Sequence, residues 1–171
     1  MTRYIAFLRG VNVGGVNLKM AEVTKALEAA GFTAVRTILA SGNVLLDSTS
    51  DAAKVRTTAE RALRDTFGYE AWVLVYDLPT LHKISAGYPF EREVADHHSY
   101  VTFVGDADVL DELAALAPGP ADLVARGDGV LYWQVPRAAT LSSAIGKTMG
   151  KKRYKSSMTT RNLRTLEKVL R

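Results

Sequence analysis

Residues 4–8 (YIAFL) are apolar without interruption, as expected of a central strand buried on both faces. Met20, Val23, Leu27 and Ala30 then recur at helical spacing, with Asn17 placed to act as N-cap and Gly31 to follow the C-cap. Two strand patterns, residues 34–39 and 44–47, flank a turn at Ser41, Gly42 and Asn43. A second helical stripe carries Val55, Ala59, Leu63 and Phe67 within residues 51–67, and the strand pattern AWVLVY follows over residues 71–76. The predicted order is β-α-β-β-α-β, the ferredoxin-like or split βαβ arrangement.

A helix is expected over residues 78–86, ending near Gly87 and Pro89. The pattern then restarts with a strand at 99–105 and a helix carrying Val109, Leu110, Leu113 and Leu116. A hairpin of 123–125 and 130–135 through Gly127 and Gly129 comes next, then a helix near 141–149. No obvious fourth strand follows. The last helix, about 161–170, has Leu163, Leu166 and Leu170 on one side and Arg161, Arg164, Lys168 and Arg171 on the other. The expected fold is α+β, a duplication of two ferredoxin-like subdomains with a basic C-terminal helix. Its divisions are a first subdomain at 1–77, a linker helix and loop at 78–98, a second subdomain at 99–150 and a basic segment at 151–171.

The chain has 171 residues and no cysteine, which excludes disulfides and thiolate metal sites. No apolar run approaches the roughly 20 residues of a membrane span, and the N-terminus lacks the features of a signal peptide. A cytoplasmic protein that meets no membrane is the expectation. The net charge of +4 is unevenly spread: from Lys147 to Arg171 there are nine bases against one acid, Glu167. A basic end on a mildly acidic body points to an anionic partner, with Lys151, Lys152, Arg153 and Lys155 as the densest cluster.

In a split βαβ unit, strands one and two run the same way. The exit of strand one and the turn at residues 41–43 then share an edge, gathering Arg9, Asn12, Asn17, Lys19, Ser41 and Asn43 on one rim. Glycines at 10, 14, 15 and 42 let backbone N–H groups approach a ligand. Turn chemistry alone also accounts for glycine and asparagine at such junctions. Thr159 and Thr160 resemble the hydroxyl cap of a helix start, a second place for an anion.

Other chemistry finds less support. The loop glycines do not fall as G-x-G-x-x-G, and Gly146, Lys147 and Thr148 lack the first glycine of a P-loop, since residue 141 is Leu. His82, His97 and His98 are not spaced as metal ligands, and no cofactor or metal is indicated. The third strand carries none of the aromatics by which an RNA-recognition motif stacks bases.

Arg9 through Asn17, with Lys19 and Met20, then Ser41, Gly42 and Asn43, and finally Thr159 through Asn162 with Thr165, resemble the bacterial domain of unknown function 1697 along nearly the whole chain. The resemblance implies two duplicated ferredoxin-like subdomains and no established activity, substrate or cofactor. It implies recurring polar positions at Arg9, Asn12, Gly14, Asn17, Ser41, Gly42, Asn43, Lys147, Arg161 and Asn162. Where some relatives have Asn before Pro-Phe, this chain has Tyr88.

The candidate ligand-binding set is therefore Arg9, Asn12, Gly14, Gly15, Asn17, Lys19, Ser41, Gly42, Asn43, Lys147, Arg161 and Asn162. The expected partner is a phosphate-bearing small molecule or nucleic acid, the chain being a monomer or weak homodimer. Two alternatives stay open. One is an enzyme on a phosphorylated or acyl substrate using Lys19, Lys147 or Ser41; the other is a non-catalytic interaction module.

Overall fold

The computed structural model describes residues 1–9, 17–39, 42–116, 122–137 and 157–171. They form an α+β protein with two four-stranded antiparallel sheets. The chain divides into two compact units, Met1–Leu81 with Lys168–Arg171, and His82–Glu167.

The first unit contains β1 (Thr2–Arg9), α1 (Met20–Ala29), β2 (Thr33–Ile38), β3 (Asn43–Ser48), α2 (Ala52–Phe67) and β4 (Trp72–Asp77). Its sheet order is β2-β3-β1-β4, so β1 is central and pairs with both β3 and β4. Alternate residues of β1, namely Tyr4, Ala6 and Leu8, join Val44, Leu46 and Val73 beneath Val23 and Leu27 of α1 and Val55, Ala59 and Leu63 of α2. Full burial of each large aliphatic side chain contributes about 1.5–3 kcal/mol. Ile5 and Phe7 point to the other face and are buried too, which explains the unbroken apolar run.

The two helices start differently. Asp51 caps α2, accepting from the backbone N–H of Lys54 at 2.9 Å, and the helix ends at Gly68 in the left-handed region at φ 67°. Helix α1 begins after Lys19, which occupies the N-cap position and makes no side-chain cap bond. The expected cap at Asn17 is therefore corrected: the helix starts later, at a residue whose ammonium has no acceptor to offer.

A bulge between Thr33 and Arg36 interrupts β2, with Ala34 at φ 48°. Arg3 holds this irregular stretch by donating to the Ala34 carbonyl and to Asp47 Oδ1, each at 3.0 Å.

Helix α3 (Leu78–Ala86) lies where expected. In the second unit come β5 (His97–Val104), α4 (Ala107–Ala114), β6 (Leu123–Arg126), β7 (Val130–Pro136) and β8 (Met158–Asn162); α5 (Leu163–Val169) follows and belongs to this unit as far as Glu167. The sheet order β6-β7-β5-β8 repeats that of the first unit. Its core joins Val104, Leu131, Trp133, Val135 and Met158 to Leu110 and Leu113 of α4.

Strand β8 overturns two expectations. The second sheet does have a fourth strand, and residues 159–161 extend along β5 rather than opening a helix. Thr159 and Arg161 are buried, and the Arg161 guanidinium donates to Thr159 Oγ1 at 2.7 Å and to the Thr160 carbonyl at 3.0 Å. A satisfied polar head lets an arginine occupy a sheet interior, so the strand carries little of the apolar alternation that marks one in sequence. Arg161 thereby leaves the expected helix stripe. The expected helix near 141–149 and the basic cluster at 151–155 lie outside the described residues.

Candidate functional site

One end of the first sheet brings together Arg9, Gly42 and Asn43 of the expected rim. The β1–β4 register sets Arg9, the last residue of β1, opposite Trp72, the first of β4, so both side chains leave the same face. The β1–β3 register sets Phe7 opposite Asn43, and the Leu8 N–H donates to the Gly42 carbonyl at 2.8 Å. The exit of β1, the β2–β3 turn and the start of β4 are neighbours.

Gly42 sits at φ 86°, a conformation that suits glycine and turns the chain back into β3. Asn43 is fully buried, and its Nδ2 donates to the Ile38 carbonyl at 2.9 Å across the turn. Its amide therefore locks the hairpin from inside. Arg9 is half-buried, and desolvation lowers its pKa below the ordinary arginine value because burial penalises the charged form. It remains a cation at neutral pH.

Two residues that the sequence did not assign to the site, Arg64 and Trp72, shape the same end. Arg64, in the last turn of α2, donates through Nε at 3.1 Å and Nη2 at 2.8 Å to the Ala71 carbonyl. Its guanidinium carbon lies 4.6 Å from the centre of the Trp72 ring, a cation–π contact. Nothing in the spacing of Arg64, Gly68 and Trp72 reveals this; the turn at Gly68 folds the strand back along the helix.

Asn17 and Lys19 are exposed ahead of α1, and the Lys19 carbonyl accepts from the Glu22 and Val23 N–H groups. Arg161 and Asn162 belong to the second unit, on β8. The Asn162 Oδ1 accepts from the Arg164 N–H at 2.9 Å and so starts α5. Asn12, Gly14, Gly15, Ser41 and Lys147 lie outside the described residues.

Among the described residues, no group of three or more His, Cys, Asp or Glu is placed to hold a metal ion. No helix among them is long and apolar enough to cross a membrane. The first unit's rim thus sets the Arg9 cation beside the Gly42–Asn43 turn and the start of β4.

A family model described as "Protein of unknown function (DUF1697)" matches residues 1–132. No curated protein matches the chain. Among solved structures, the chain is similar to the conserved bacterial protein SP0830 from Streptococcus pneumoniae. That likeness has a TM-score of 0.81 at 21% identity and covers 98% of this chain and 96% of the other, so it shows the shared fold.

Proposed function

We propose, for a chain that belongs to the DUF1697 family of proteins of unknown function, that the β1-exit end of the first sheet binds a phosphate-bearing ligand such as a nucleotide or nucleic acid strand. The observation that carries this reading is Arg9: a half-buried guanidinium at the end of a central strand, opposite Trp72 and one residue beyond the bond to Gly42. A partly desolvated cation gains more from a multiply charged anion than a fully hydrated one does. A guanidinium meets phosphate oxygens through two parallel N–H donors. Lys19 adds a point charge at the start of α1, and Asn17 a neutral donor beside it.

The same strand order in both sheets supports reading the chain as two ferredoxin-like subdomains. In that arrangement loops at one sheet end share a single edge, which the rim reading needs.

Filter binding of a labelled single-stranded oligonucleotide across salt concentration tests the proposal. Affinity should fall steeply between about 50 and 200 mM salt, and Arg9→Gln should lower the slope of log K against log salt by about 1. Binding that is flat across that range, or a slope unchanged in Arg9→Gln, would rule the rim out as a phosphate site.

A further inference from the structure

The second unit carries a separate basic pocket. Its volume is about 90 Å³, and Arg92, Glu93, His98, Arg137, Asn162 and Arg164 line it. They arrive from the segment before β5, the start of β5, the end of β7 and the β8–α5 junction. Three arginines and two histidines, His97 and His98, thus line a small volume together with one acid, Glu93.

The walls are individually fixed. Arg92 donates to the Ser85 carbonyl at 2.8 Å and to Ser85 Oγ at 3.1 Å, and its guanidinium lies 6.0 Å from the Tyr88 ring centre. Arg92 is therefore committed to the wall. Arg137 follows β7, where its backbone N–H donates to the Asp96 carbonyl at 2.8 Å. Arg164 is anchored through its own N–H on Asn162 Oδ1. The His98 ring stacks on Tyr100 with centroids 5.4 Å apart and planes 26° from parallel, and Tyr100 in turn lies 4.6 Å from Trp133. That stack sets the plane of the imidazole at the pocket.

We propose that this pocket binds a phosphoryl group, clamped between Arg137 and Arg164, with protonated His98 as a third donor. Tetrahedral oxyanions present several acceptors to converging donors, and the planar guanidinium matches two of them at once. A compact pocket of this size fits one such group. Burial, and then the charges of Arg137 and Arg164, hold the His98 pKa below its ordinary 6.5, so like charges already converge at this point. Anion binding relieves that repulsion and draws a proton onto His98. By linkage, proton and anion each strengthen the other's binding by the same factor. Glu93 and His97 also face the pocket. The carboxylate opposes an anion, and protonation of His97 favours one, so both bear on the pH dependence.

The test follows the His98 ring proton by NMR through a pH titration of the full chain. Inorganic phosphate, methyl phosphate and sulfate are the probes, and chloride at matched ionic strength is the control. Sulfate keeps a constant charge across the range and separates the histidine's titration from that of the ligand. The expected result is a rise in the His98 pKa of about one unit with phosphate and sulfate, a tenfold coupling, and little change with chloride. Methyl phosphate matching inorganic phosphate would assign the pocket to esters as well as to the free ion; a loss of the shift with the ester would restrict it to the free ion. Arg164→Gln should raise the His98 pKa without ligand, since one repelling charge is gone, and should abolish most of the phosphate-induced rise. Arg9→Gln should leave the rise intact, which separates this pocket from the rim of the first unit. A His98 pKa that moves equally with chloride, or a phosphate response unchanged in Arg164→Gln, would overturn the assignment.

Discussion

At the scale of single residues, two buried polar side chains hold their sheets by bonds that a hydrophobic replacement cannot make. Asn43 spans the β2–β3 turn from inside, donating to the Ile38 carbonyl. Asn43→Ala should destabilise the chain by about 1–3 kcal/mol, the cost of a buried carbonyl deprived of its donor. A lower urea midpoint at unchanged slope would show it. In the second sheet, Thr102 Oγ1 lies 2.7 Å from Thr160 Oγ1 and accepts the Trp133 indole N–H at 2.9 Å. Thr102→Val keeps the shape and removes the acceptor from a buried indole. A loss of about 1–3 kcal/mol is expected by the same measurement; a neutral result would mean that the indole finds another partner. Asn43 also marks where sequence legibility ended. Its place beside Gly42 announced a turn, but whether the amide faced solvent or the interior depended on β1 pairing across it at Phe7.

At the scale of elements, the first unit was readable because its apolar periods are strong. β1 shows an unbroken run, α2 has its stripe at Val55, Ala59 and Leu63, and Gly68 stops the helix. The second unit was readable as far as β7. Strand β8 was not, because only Met158 among its five residues is apolar, and its buried Thr159 and Arg161 are stabilised by the bond the Arg161 guanidinium donates to Thr159 Oγ1. The contrast between the two helix starts yields a prediction at this scale. Asp51→Ala should cost about 1 kcal/mol through loss of the cap on Lys54, whereas Lys19→Asp should gain several tenths by supplying an acceptor to α1. Lys19→Asp also replaces a cation of the proposed site with an anion. The same variant should therefore be more stable to urea and weaker in oligonucleotide binding, a pairing of opposite effects that a purely structural Lys19 would not produce.

For the whole molecule, stability against pH is bounded at alkaline pH by buried tyrosines of both units and at acid pH by His98. In the first unit, burial pushes the Tyr76 phenol up from 10.0 to about 12, with the nearby Arg56 charge opposing in part. An unfolded chain loses that proton near pH 10 while the folded chain keeps it, so above pH 10 the unfolded state binds fewer protons and stability falls as pH rises. The decline should be about 1.4 kcal/mol per pH unit from this one group, continuing until Tyr76 itself ionises. Burial shifts Tyr69, Tyr88 and Tyr132 upward too and steepens the same limb. In the second unit the His98 pKa is lowered, and the sign reverses. Below the ordinary histidine value of 6.5 the unfolded chain takes up a proton that the folded chain resists, so stability falls as pH drops through that range. Urea unfolding followed by circular dichroism should therefore be nearly flat in these groups between about pH 7 and 10 and should decline on either side. Tyr76→Phe should reduce the alkaline slope and leave the acid limb as it was. Phosphate, if His98 gains a proton with it, should flatten the acid limb and leave the alkaline one unchanged, because none of these tyrosines lines the pocket.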